Sequence, residues 1–124
     1  MNKAYDSCIE EATDMASEVV QKETKLANGW LAWRVEGRID ISTAESIYSS
    51  GEKIVERVEK TVLDLEAVSY ISSVGLRVLL RLFKKASKEG KEFSVAGAAG
   101  MVKKILIDSN MNSYLTMHQS LDEL

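Results

Sequence analysis

Two adjacent hydroxyls, Ser72 and Ser73, stand just ahead of Val74-Gly75-Leu76-Arg77, where an apolar pattern of helical period begins. The first backbone N–H groups of a helix have no intrahelical acceptor, and the aligned peptide dipoles add partial positive charge there. An oxygen-rich group is therefore favoured at that point. Either serine can serve as an ordinary N-cap, a role serine fills very commonly. Either can also carry a phosphoryl group, and the helix-start argument does not separate the two. Gly75, two residues into the helix, is expected to leave room for a phosphate or another chain. Asp40, with Ser42 close behind it, precedes an earlier helical pattern and is the natural cap there, a role Ser42 fills equally well.

Other chemistry is sparse. Cys8 is the only cysteine and His118 the only histidine, which removes disulfide frameworks, Cys/His zinc sites and histidine-plus-cysteine nucleophiles. No phosphate-cradling G-x-x-x-x-G-K-[ST] run occurs, and Gly97-Ala98-Ala99-Gly100 lacks dinucleotide spacing and reads as a strand-to-helix turn. Asp64, expected inside its strand, and Glu66 read as solvated strand-edge or loop acids rather than a general acid/base pair. The expectation is a protein without catalytic residues, metal or cofactor.

The elements that must position these serines follow from periodicity. A length of 124 residues with 45% apolar content suits one domain with one core. Residues 3–17 place Ala4, Cys8, Ala12 and Met15 at helical steps, which suggests a short N-terminal extension, 1–17, ahead of a domain over 18–124. Two strand-like runs flank Asn28-Gly29, a strong hairpin signal that asks for positive φ at both turn positions. In the second run Leu31, Trp33 and Val35 alternate with Ala32 and Arg34. Trp33 is assigned to the core and Trp30 to the opposite face.

Ala44, Ile47, Gly51, Ile54, Val55 and Val58 mark a first helix, and Thr61 to Leu65 a central strand. A second helix turns Leu76, Leu79, Leu80, Phe83 and Ala86 inward, with Arg77, Arg81, Lys84, Lys85 and Lys88 outward, and ends near Gly90. A strand at Glu92–Ala96, a helix around Ala99–Ile107, a brief strand near Tyr114–Met117 and a helical turn from Ser120 complete the order β-β-α-β-α-β-α-β-α. This alternation predicts an α/β domain with a mixed four- to five-stranded sheet and about four helices. A net charge of −3 gives no field for nucleic acid or an anionic membrane. The longest apolar run, Leu76 to Phe83, is broken by Arg77 and Arg81, so neither export nor membrane insertion is expected and a cytoplasmic location follows.

Three segments together resemble the STAS family, the anti-sigma factor antagonists and related domains of sulphate transporters. Glu36-Gly37-Arg38-Ile39-Asp40 followed by Thr43-Ala44 looks like that family's strand end and the opening of its first helix. Asp64-Leu65 through Ser69-Tyr70-Ile71-Ser72-Ser73-Val74-Gly75-Leu76 looks like its phosphorylation segment, often Asp-Ser-Ser-Gly-Leu. Ile105 to Tyr114 followed by Ser120-Leu121 resembles its closing elements. The resemblance covers about Glu18 to Leu124. It implies a single STAS-like domain that acts as a partner switch, bound by an anti-sigma factor serine kinase, phosphorylated by it, and restored by a serine phosphatase.

The family's phosphorylated serine lies two positions before the glycine, which is Ser73 here. Ser72 stands where an aspartate is frequent and Val74 where a second serine is frequent, which leaves Ser72 as a rival acceptor. Asp40 matches the aspartate beside the site. The resemblance thus implies a docking surface of Asp40, Ser42, Thr43, Ser72, Ser73, Val74, Gly75, Leu76 and Arg77. A scaffold use of the same domain, a phosphoaspartate receiver with Asp64 as acceptor, and homodimerisation are the alternatives the sequence leaves open.

Overall fold

The computed structural model describes residues 19–124, so the expected N-terminal helix over residues 3–17 lies outside the described residues. Val20–Lys25 (β1) and Leu31–Ile39 (β2) form an antiparallel pair running from Val20 opposite Glu36 to Lys25 opposite Leu31. Their connection is not the expected two-residue turn. Leu26 N–H donates to Trp30 C=O and Gly29 N–H to Leu26 C=O, and only Gly29 of the Asn-Gly pair has positive φ (94°). The Asn28 side chain instead accepts from Trp30 N–H at 3.1 Å, fixing a three-residue loop with glycine at its left-handed position.

Ala44–Arg57 (α1) is followed by Lys60–Asp64 (β3), Val68–Ile71 (β4), Ser73–Lys88 (α2), Glu92–Ala96 (β5), Gly100–Asp108 (α3) and Met117–His118 (β6). The strands are ordered β1-β2-β3-β5-β6, and all pairings beyond the hairpin are parallel. Three helices, with short 3-10 turns at Met111–Ser113 and Leu121–Glu123, stand where about four helices were expected. Six strands stand where four or five were expected, the addition being β4. β3 pairs with Leu31 to Arg34 of β2 and ends at Asp64; β4 then resumes the pairing along Gly37 to Ile39. The two are one strand line interrupted at Leu65-Glu66-Ala67, and the interruption carries the chain to the start of α2.

The main core lies between the sheet and all three helices. Trp33, Val35, Ile39, Leu63 and Val95 from the strands meet Ile47, Ile54, Leu79, Leu82 and Leu106 from the helices. Trp33 is fully buried, and its indole N–H donates to Gln21 Oε1 at 3.0 Å, so its one polar atom is satisfied. The opposite face carries a smaller cluster of Ala32, Val62 and Ala96, covered by Leu26, Trp30, Leu121 and Leu124. The expected division of Trp33 and Trp30 between the two faces is what the structure shows.

The inward face of α2 is rotated from the expected one. Gly75, Val78, Leu79, Leu82 and Ala86 are buried, while Leu76, Leu80 and Phe83 are half-buried. Lys85 is consequently not on the outer face. It lies between the helices, bonded to Glu56 of α1 at 3.2 Å and to Glu89 at 3.1 Å.

Candidate functional site

β4 leads straight into α2, and the hydrogen bond from Ser72 N–H to Ile39 C=O (2.9 Å) ties this junction to the end of β2. Ser72 has extended backbone angles and is the N-cap of α2, its Oγ accepting from Gly75 N–H at 3.2 Å. One open amide is thereby satisfied by a hydroxyl that is half-buried. Ser73 is the first helical residue, exposed, and makes no side-chain hydrogen bond among the described residues. The two hydroxyls that the sequence left equivalent therefore have different work: one is a cap, the other is free at the positive end of a sixteen-residue helix.

Gly75 does not provide space for a ligand, contrary to expectation. It is buried, and a Cβ built on it would lie 2.7 Å from Ile39 Cγ2, 2.8 Å from Ile39 O and 2.8 Å from Ile71 Cγ1. Its lack of a side chain lets the first turn of α2 rest directly on the ends of β2 and β4. The glycine thus fixes how the serines are presented without being part of the surface.

The turn from β2 into α1 borders this junction. Asp40 Oδ1 accepts from Ser42 N–H (3.0 Å) and Ser42 Oγ (2.7 Å), and Oδ2 accepts from Arg38 Nε (3.3 Å). The Ser42 hydroxyl is the larger cause, with Arg38 adding, that holds the Asp40 carboxyl below its ordinary value of 3.8 despite partial desolvation. Neither Asp40 nor Ser42 caps α1 through its side chain. The position falls to Thr43, which makes no side-chain cap bond, while the Asp40 carbonyl accepts Thr43 N–H and Ala44 N–H.

Thr43 is buried, and its Oγ1 donates to Arg38 C=O (2.8 Å) and accepts Asp40 N–H (3.0 Å). It braces the turn from inside. The docking set expected from sequence is thus divided. Asp40, Ser42, Ser72, Ser73, Val74, Leu76 and Arg77 retain accessible surface, whereas Thr43 and Gly75 are interior supports.

Sequence reasoning missed the groove beside Ser73. Val74, Arg77 and Val78 of α2 face Ala44 and Tyr48 of α1 across an open cleft of about 420 Å³, with Ile41 at one end. Ile41 is 80% exposed, the most exposed of the large apolar side chains described. An isoleucine between Asp40 and Ser42 in a polar turn was the available signal. Arg81 also lines the cleft, its guanidinium 3.9 Å from the centre of the Tyr48 ring.

Asp64 is neither inside its strand nor solvated. It is the last residue of β3, is buried, and is held by Arg34 Nη1 at 3.2 Å while accepting Glu66 N–H at 3.0 Å. Arg34 also bonds Glu36 (3.0 Å) and Glu66 (3.1 Å), and these carboxylates, Glu36 first, raise its pKa. A buried carboxylate fixed by an arginine is a structural anchor, a poor phosphoacceptor and a poor base.

Known proteins share sequence and architecture with this chain. The Mycobacterium tuberculosis protein RsfB, an anti-sigma-F factor antagonist, is 27% identical over 99 residues, spanning 76% of this chain and 80% of RsfB. The crystal structure of an anti-sigma factor antagonist from Mycobacterium paratuberculosis superposes with a TM-score of 0.77 at 24% identity, covering 90% of this chain and 94% of that one. The Bacillus cell fate determinant SpoIIAA in its phosphorylated form superposes with a TM-score of 0.64 at 14% identity, covering 84% and 95%. The STAS domain family model matches residues 21–124, nearly the whole of the described chain. Sequence match and fold agree, and the chain belongs to the STAS domain family.

Proposed function

We propose that this protein is an anti-sigma factor antagonist whose binding to an anti-sigma serine kinase is ended by phosphorylation of Ser73. The observation that carries the reading is the division of labour at the start of α2, where Ser72 Oγ is occupied as the cap and Ser73 Oγ is exposed and, among the described residues, unbonded. The name of RsfB and the phosphorylated state of SpoIIAA support the same assignment.

In the modification, Ser73 Oγ attacks the γ-phosphorus of ATP bound to the kinase. The Oγ–P bond forms as the bond to the β-phosphate oxygen breaks, ADP leaves, and the hydroxyl proton passes to a base on the kinase. A serine phosphatase reverses the state by directing water at phosphorus, returning the hydroxyl and releasing inorganic phosphate. The phosphoryl group adds roughly 1.5 to 2 negative charges at neutral pH. Open amides at the helix start accommodate that charge without refolding, so the effect falls on the partner as repulsion and desolvation cost. A coupling of about 3 kcal/mol corresponds to roughly a hundredfold loss of affinity.

The test is incubation with the serine-kinase proteins of the source organism and ATP, read by intact mass and site mapping. One phosphoryl group on Ser73 is expected, absent from Ser73→Ala and retained in Ser72→Ala. Labelling of Ser72, or none at all, would overturn the assignment.

A further inference from the structure

Three arginines belong to the segments around Ser73, and two are already engaged. Arg38 pairs with Asp40 at 3.3 Å, and its guanidinium lies 4.7 Å from the centre of the Tyr70 ring. Arg81 stacks 3.9 Å above Tyr48. Arg77 is exposed, and among the described residues it makes no ion pair, side-chain hydrogen bond or ring contact. It follows Ser73 by four residues on α2, where side chains are neighbours and an acid N-terminal to a base is the favoured order. It also stands on the wall of the cleft formed with Ile41, Tyr48, Val74 and Val78.

We infer that Arg77 is the residue through which the phosphorylation state of Ser73 is read. In the unmodified protein its free guanidinium pairs with a carboxylate of the anti-sigma partner, whose neighbouring apolar side chain fills the cleft against Ile41 and Val74. Charge identifies that occupant: the lining holds two arginines and one acid, Glu45, so an acidic segment is attracted. A phosphoryl group on Ser73 supplies Arg77 with an intramolecular counter-ion one turn away. The partner's carboxylate then loses its cation and faces a phosphate in the same step. The inference rests on Ser73 being the modified residue, but its physical core is testable without a kinase.

Phosphoserine installed at position 73 during translation allows the second phosphate ionisation to be titrated by phosphorus NMR. A value lower by about half a unit in the wild type than in Arg77→Gln, restored by Arg77→Lys, is expected from an i,i+4 pair. Equal values in wild type and Arg77→Gln would overturn the capture of Arg77.

Binding to the kinase that labels the protein is the second arm. Unmodified Arg77→Gln should bind about tenfold more weakly, and phosphoserine should weaken it further by about tenfold, the repulsion that remains, in place of the roughly hundredfold lost by the wild type. A full phosphorylation effect in Arg77→Gln would refute the reading. Failure of labelling at Ser73 with the NMR shift intact would instead sink the switch assignment alone.

Discussion

A hydroxyl that completes a helix end has little freedom left, whereas its neighbour one residue on has all of it. Ser72→Ala removes the bond to Gly75 N–H and should lower stability by about 1 kcal/mol in urea unfolding, with Ser73→Ala changing it by less than about 0.5 kcal/mol. Asp40 sets a pH dependence of defined sign. Its folded pKa lies below 3.8, so its contribution is complete above that value and is lost as pH falls through the depressed folded value. Stability measured from pH 6 downward should therefore fall more steeply in the wild type than in Asp40→Asn, over the acid limb alone. At Ser94 the hydroxyl is buried with no hydrogen-bond partner among the described residues. Ser94→Ala should raise stability by about 1 kcal/mol in the same assay.

Two glycines govern how helices seat on the sheet. Gly51 of α1 would place a Cβ 2.6 Å from Trp33 Cη2 and 2.7 Å from Leu82 Cδ1, and Gly75 of α2 meets Ile39 and Ile71 as closely. Replacing either with alanine gains helix propensity of less than about 1 kcal/mol but forces overpacking that costs about 1 to 3 kcal/mol. Both variants should melt below the wild type, and Gly75→Ala should in addition shift the amide resonances of Ser72 and Ser73. The Lys85 bridge between α1 and α2 behaves oppositely to Asp40. Glu89 first, then Glu56, raises the Lys85 pKa above 10.5, so this brace is complete below 10.5 and is released as pH rises through the folded value.

One side chain holds the layers of the molecule together. Trp33 projects from β2 to the helical layer, touches the space left by Gly51, and anchors the edge strand through Gln21. Trp33→Ala should cost about 3 to 5 kcal/mol, a large part of the 5 to 15 kcal/mol typical of a domain, measured as the shift in the unfolding midpoint. Trp30→Ala, on the smaller cluster, should cost less than half as much. The molecule therefore has a sheet-and-helix body with Ser73 exposed at its rim, where an added group would meet solvent and not the core.

Periodicity made α1, β3, β5 and α3 legible to within a residue or two, because alternation and helical spacing are properties of neighbours along the chain. The serine pair before Gly75 and the outward arginines were legible for the same reason. β4 was not, since Val68–Ile71 is a strand only because β2 continues past β3 and offers it a free edge. Nor could neighbours in sequence say which serine is the cap, that Gly75 is filled by Ile39 and Ile71, or that Asp64 is clamped by Arg34. Gly75 and Asp64 meet Ile39 and Arg34, atoms that the folded sheet brings close from far along the chain, and the cap position follows from where the junction is tied to Ile39. Local order decided what the elements are, and tertiary contact decided which of their side chains remain free to act.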